Sequence, residues 1–178
     1  MNSASSRSAH IVLIGMMGVG KSTVGRRVAR ELSRSFVDSD DEVVARTGRA
    51  VTEIFATDGE AAFRDIEAEV MAELLASPVP SVIAAAGGSV LNSSTRARLR
   101  ESGTVVWMRA PVDVLVGRTS RGTHRPALAN NPRATLTQME TDREALYGEV
   151  ADITVDCTAP IAAVVRTIVQ SVNEVDAQ

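Results

Sequence analysis

Gly15, Gly20, Lys21 and Ser22 stand at the spacing G-x-x-x-x-G-K-[ST], a pattern suited to holding the phosphates of a nucleotide. Backbone amides of such a turn cradle phosphate oxygens, while the lysine reaches the β and γ positions. Of the 19 lysine and arginine residues, Lys21 is the single lysine. A chain that uses arginine elsewhere and lysine here points to a site needing a compact, mobile ammonium rather than a planar fork. The flanks agree. His10 to Ile14 reads as a buried strand, and Thr23 to Leu32 as a helix with Val24, Val28 and Leu32 on one face. A tight strand-to-helix turn would account for a few glycines. It would not account for Lys-Ser at a helix start, where anions are favoured.

Asp38-Ser39-Asp40 follows a second short strand. In extended backbone, carboxylates two residues apart point to the same side. Beside a phosphate loop, one acid could then hold Mg2+ and the other orient an acceptor hydroxyl. Taken alone, Asp-Ser-Asp is also a common turn or helix cap. Ser22 would add a hydroxyl to Mg2+, and Lys21 would stabilise charge on a transferring phosphoryl group. Arg64, Arg125 and Arg143 lie in three separate segments, where each alone reads as a solvated surface charge. Gly87-Gly88, after an apolar strand, either exposes amides to a ligand oxygen or makes a structural turn. His10 and His124 lack the acid or cysteine spacing of a metal pair and read as structural or surface residues.

The elements that must position these groups alternate between strand and helix. After the first strand and helix come a short strand over Arg34 to Asp38, a helix from Asp41 to Thr47 stopped by Gly48, and a short helix from Val51 to Asp58 ended by Gly59. A longer helix over Glu60 to Leu75 follows, broken by Pro78 and Pro80. Strands are expected over Val82 to Ala86, Thr104 to Met108 and Ile153 to Val155. Helices are expected over Ser93 to Glu101, from Pro111 to Val116, over Leu136 to Tyr147 and from Pro160 to about Val172. The spacing predicts helices on both sides of a five-stranded parallel sheet, with ligands above its carboxyl edge. Gly117 to Ala134, rich in arginine, glycine and proline, reads as a mobile lid or else as a passive surface loop. Residues 1–9 read as a disordered tail, 10–172 as a single domain and 173–178 as a frayed end.

Composition narrows the function classes. A chain of 178 residues can bury roughly 70% of its unfolded surface as one domain. Hydrophobic residues make up 44% and aromatics 3%, so the core is aliphatic and a base-stacking platform for single-stranded nucleic acid is disfavoured. The net charge of −3 supplies no global field for nucleic acid or an anionic membrane. Cys157, the one cysteine, excludes an internal disulfide and reads as a buried inert thiol. No secretory leader or membrane span is expected, which places the chain in the cytoplasm, with no obligate protein partner.

Taken together, these segments resemble the shikimate kinases from about Ile11 to Val169. GMMGVGKSTVGRRVA is similar to that family's phosphate loop and first helix, and FVDSDDEV to its aspartate pair. TGRAVTEIFATDGEAAFRDIE (Thr47 to Glu67) resembles its substrate-binding segment, AAGGSV its glycine loop, HRPAL its arginine lid and DREALYGEVAD its last substrate-binding helix. The resemblance implies a three-layer α/β/α fold of the P-loop nucleoside-monophosphate-kinase type, with a substrate-binding insertion at about 39–68 and a lid at about 117–134. It also implies transfer of the γ-phosphoryl group of ATP to the 3-hydroxyl of shikimate, with Mg2+, in the route to chorismate and the aromatic amino acids. Gly15, Gly18, Val19, Gly20, Lys21, Ser22 and Thr23 would then hold ATP, with Arg118 near adenine. Ser22 and Asp38 would serve the metal, and Asp40 would bind and activate the acceptor hydroxyl. Arg64, Gly87, Gly88 and Arg143 would bind shikimate, the two arginines gripping its carboxylate, with Glu67 supporting Arg64. Arg125 would close with the lid onto the transferring phosphate.

The chain departs from the family pattern in three places. Ala86 stands where the first of three glycines is usual, Glu144-Ala145 replaces an apolar or proline-containing step, and Cys157 to Pro160 is short and lacks basic residues. Two other functions compete on the residues alone. One is a kinase for a different polyol or cyclitol, which gives no reason for two arginines converging on a carboxylate. The other is a catalytically silent ATP-binding regulator, which gives no reason to keep both Asp38 and Asp40.

Overall fold

The computed structural model describes residues 10–120 and 131–177. Five strands, β1 (His10–Ile14), β2 (Ser35–Asp38), β3 (Ser81–Ala84), β4 (Gly103–Arg109) and β5 (Ile153–Asp156), form one parallel sheet in the order β2-β3-β1-β4-β5. β1 and β3 are buried along their whole length, whereas the edge strands β2 and β5 are largely half-exposed or exposed. Continuous Val/Ile/Leu runs in the centre are what a sheet covered on both faces requires. Helix α1 (Lys21–Glu31) packs on β3 and against α8 (Ile161–Asp176), which also covers β4 and β5. On the other face α5 (Ser93–Ser102) and α7 (Pro132–Val150) cover β4, with α4 (Gly59–Ala76) against α5 and α6 (Val112–Thr119) against α7. The result is three layers, α/β/α, as expected.

The chain leaves β1 for β2 and β3 on one side and for β4 and β5 on the other. That reversal opens a crevice at the carboxyl end of β1, the place where open parallel sheets take ligands. The excursion after β2 consists of α2 (Ser39–Thr47), α3 (Val51–Thr57) and α4. It carries a small core of its own, Val43, Ile54, Phe63 and Val70, separate from the main cluster around the sheet. This second core fixes α4, and so fixes where Arg64 emerges.

Several boundaries differ from the sequence reading. α2 begins at Ser39 rather than Asp41, because the Asp38 side chain accepts from the Asp40 amide and caps the helix. α6 runs on to Thr119 and α7 starts at Pro132, so both ends of the expected lid at 117–134 are helical. The early start of α7 has a local cause: Asn131 accepts from the Ala134 amide, and Pro132 occupies the first turn, where its missing N–H costs nothing. α8 extends to Asp176, past the expected end near Val172. No helix among the described residues is long and apolar enough to cross a membrane.

Candidate active site

β1 delivers the chain into the phosphate loop, and α1 leaves it at Lys21. Gly15 has φ +136°, and a Cβ there would stand 2.3 Å from the Met108 carbonyl, so only glycine allows the loop to turn this close to β4. Lys21 Nζ donates to the carbonyls of Gly15 (2.7 Å) and Met16 (3.1 Å), which holds the ammonium over the loop. Ser22 Oγ donates to Asp38 Oδ2 at 2.5 Å. These groups border a cavity of about 260 Å³ whose wall also includes Gly18, Gly20, Thr23, Asp40, Gly87 and Arg118. Gly15 and the buried side chain of Val19 lie behind that wall and shape it without forming it.

The two aspartates reach the cavity by a different route from the one expected. They do not alternate along a strand. Asp38 ends β2, and its Oδ1 caps α2 through the Asp40 amide at 3.1 Å. Asp40 sits in the first turn of α2 and is exposed on the cavity wall. The corrected geometry separates their tasks. Asp38 bonds the helix start through one oxygen and Ser22 through the other, and Asp40 stands on the cavity wall in the first turn of α2.

Arg64 and Arg143, distant in sequence, come to opposite ends of the Gly87-Gly88 turn. Arg64 rises from α4 beside the rings of Phe55 and Phe63 and donates from Nη1 to both oxygens of Glu67 (3.1 and 3.0 Å) and from Nη2 to Glu60 (3.1 Å). A Cβ on Gly88 would stand 2.0 Å from Arg64 Nη1, so glycine is what allows the guanidinium to lie against the turn. Arg143, only 6% exposed, donates from Nη1 to the Gly87 carbonyl at 3.2 Å. Gly87 lines the cavity, which joins the arginine pair to the aspartates. Arg64, Gly88 and Arg143 themselves stand off the cavity wall.

Glu67 is 3% exposed. Burial pushes its carboxyl above the usual range, against the pull of Arg64; Asp40 also raises it and Arg143 lowers it, so these groups share one electrostatic field. Among the described residues, the Nε atoms of Arg64 and Arg143 are buried without a hydrogen-bond partner, as is Ser89 Oγ. A buried N–H calls for a hydrogen-bond acceptor.

On the far side of the phosphate loop, Arg118 donates to the carbonyls of Val19 (3.2 Å) and Cys157 (2.7 Å) and so straps the loop to the segment between β5 and α8. Burial pushes the Cys157 thiol up to about 11, which suits the inert role expected of it. His10 is buried, its Nε2 against the Ser77 carbonyl and its Nδ1 accepting from the Ser81 amide, a structural role. Arg125 and His124 lie outside the described residues.

A family model described as shikimate kinase matches residues 17–173. The chain belongs to the shikimate kinase family. It is 46% identical over 160 residues to the shikimate kinase of Bordetella pertussis, covering 89% of this chain and 75% of that one. The structure of the Acinetobacter baumannii shikimate kinase in complex with shikimate superposes with a TM-score of 0.91 at 35% identity, over 96% of both chains. A gluconokinase from Sinorhizobium meliloti shares the fold at 25% identity, with a TM-score of 0.69 over 96% of this chain and 95% of that one. The chain is therefore an ATP-dependent small-molecule kinase.

For a shikimate kinase, two of the three departures in this chain have local explanations. Ser33 is the one non-glycine with positive φ among the described residues, so Ala86 carries its methyl without left-handed strain. Its amide donates to Ser39 Oγ at 2.9 Å. Glu144 accepts from Arg109 at 2.7 Å, and Arg109 lies 4.4 Å over the Trp107 ring, so an ion pair joins α7 to β4 where an apolar step is usual. Both partners are about half exposed, and such a pair contributes at most about 1 kcal/mol. Sequence reasoning missed the aromatic bed of Arg64, the Glu60 contact and the unpartnered Ser89 hydroxyl. Phe55 and Phe63 fall within the helices expected over Val51 to Asp58 and Glu60 to Leu75, and their spacing gave no sign that they meet a guanidinium.

Proposed function

We infer that the site transfers the γ-phosphoryl group of ATP to the 3-hydroxyl of shikimate, acting in the cytoplasm where ATP is available. The observation that carries this reading is the convergence of two guanidiniums, Arg64 and Arg143, on the Gly87-Gly88 turn beside a phosphate loop and an exposed aspartate. Two guanidinium forks match a planar carboxylate, and Asp40 lines the cavity, where it can receive a hydroxyl proton. In the step, the bond between the γ phosphorus and the β-bridging oxygen breaks and a bond to the acceptor oxygen forms. The acceptor proton passes to Asp40, and ADP leaves. Lys21 and the loop amides stabilise charge on the phosphates, Arg118 faces the adenine, and Arg125 adds positive charge from the lid.

Ser22 and Asp38 suit Mg2+, which takes one or two protein oxygens and completes its shell with phosphates and water. When bound, Mg2+ neutralises charge on the β and γ oxygens. No group of three or more acid, histidine or cysteine side chains among the described residues offers an all-protein metal cage. A hydroxyl–carboxylate pair at the phosphate loop is the arrangement a nucleotide-borne ion needs.

ADP release measured with shikimate and, separately, with gluconate decides the acceptor. Shikimate-dependent turnover is expected, with little or none on gluconate. Folded protein with Mg-ATP and no turnover on shikimate would overturn the reading. Arg143→Lys checks the grip. Lysine keeps the charge but loses the fork, so shikimate KM is expected to rise roughly 10- to 100-fold while ATP KM stays near its starting value. Equal weakening of both substrates would make Arg143 an organiser of the whole pocket instead.

A further inference from the structure

We propose that Tyr147 is a positioning residue: by holding the Gly87 carbonyl it keeps Arg143 available to the acceptor and fixes the Gly87-Gly88 turn against the phosphate loop. The proposal rests on shikimate being the acceptor. The Gly87 carbonyl accepts from two donors, Tyr147 Oη at 2.6 Å and Arg143 Nη1 at 3.2 Å. Tyr147 lies one helical turn beyond Arg143 on α7, so both side chains leave the same face. The tyrosine bond is the shorter, and it answers most of the demand of the carbonyl.

The ring is held independently of that bond. Tyr147 is 1% exposed and stacks on Trp107 of β4, with centroids 5.7 Å apart. Its hydroxyl also stands 4.0 Å from Met16 Sδ in the phosphate loop. Burial pushes the phenol up to about 12, so it remains a donor at neutral pH. On its other side Gly87 abuts the loop, where a Cβ would lie 3.4 Å from the Gly15 carbonyl and 3.5 Å from the Met17 amide. The turn is thus wedged between the phosphate loop and α7. Because the peptide is planar, fixing the Gly87 carbonyl also fixes the amide of Gly88, the residue against which Arg64 lies.

Removing the hydroxyl leaves the Gly87 carbonyl with Arg143 as its remaining side-chain donor. A half-buried carbonyl that loses its stronger donor tightens its bond to the other, so the guanidinium shifts toward Gly87 and away from the acceptor. In Tyr147→Phe, shikimate KM is expected to rise about 5- to 10-fold, with ATP KM changed less than about 2-fold. In an Arg143→Lys background the same substitution should raise shikimate KM less than about 2-fold further, because the two residues act through one carbonyl. Emission from Trp107, the single tryptophan, reports in the same samples whether the ring packing survives. Unchanged emission with the non-additive KM pattern supports the proposal. An unchanged KM in Tyr147→Phe, an equal factor in both backgrounds, or a KM rise accompanied by shifted emission would overturn it. Failure of the unsubstituted enzyme to use shikimate would instead remove the acceptor assignment itself.

Discussion

Lys21→Ala is expected to lower kcat by about 1,000-fold, the upper range for loss of one preorganised charge contact in a transition state. The ammonium stands over the loop because two carbonyls, those of Gly15 and Met16, accept from it. Those bonds face the cavity rather than the core, so their loss costs stability only about 1–3 kcal/mol at roughly 1 kcal/mol each plus the exposed carbonyls. The fold should survive, as circular dichroism and an unfolding curve would show. Lys21→Arg should not restore turnover, because a planar fork cannot fill a place shaped for a compact ammonium between two carbonyls. A Lys21→Ala enzyme with near-normal kcat would remove the phosphate role from this residue.

The parts of the site that were legible in the sequence are those whose residues are contiguous. The phosphate loop is one: Gly15 must turn against the Met108 carbonyl, and Lys21 and Ser22 must open a helix, so backbone geometry is written into neighbouring residue types. Buried strands were equally plain, since β1 and β3 are unbroken apolar runs covered on both faces. Asp38 and Asp40 both line the cavity, but by a different geometry from the one expected. Assuming extended backbone made them parallel, whereas Asp38 is a helix cap, an alternative its residue type had already offered. The start of α7 carried a signal too. Asn131-Pro132 is a cap followed by a first-turn proline, masked by the glycine, arginine and proline around it.

The convergence of Arg64 and Arg143 was beyond spacing arguments, because tertiary packing creates it. One arginine is placed by the small core under α4 and the other by α7 against β4. Only the family resemblance joined them. Tyr147 left still less trace, since its partner is a backbone carbonyl, which every residue possesses. Interactions of this kind show up when a backbone acceptor is matched to its donors, and not before.

Asp40→Asn should lower kcat by roughly 100-fold or more, the effect typical of a positioned acid–base group. Two carboxylates border the cavity, and the structure distinguishes them. Asp38 accepts from Ser22 on one oxygen and from the Asp40 amide on the other, so its charge serves the helix start and the phosphate side. Asp40 is exposed to the cavity, and its charge is felt by Glu67, which pairs with Arg64. The proposed reading therefore assigns Asp40 to the acceptor rather than to the nucleotide. Asparagine preserves the shape and a hydrogen bond to the hydroxyl but cannot take its proton. Shikimate should still bind, with KM altered far less than kcat, and ATP KM should stay near its original value. A change confined to ATP KM would place Asp40 on the nucleotide instead, and the proton would then have to leave by another route.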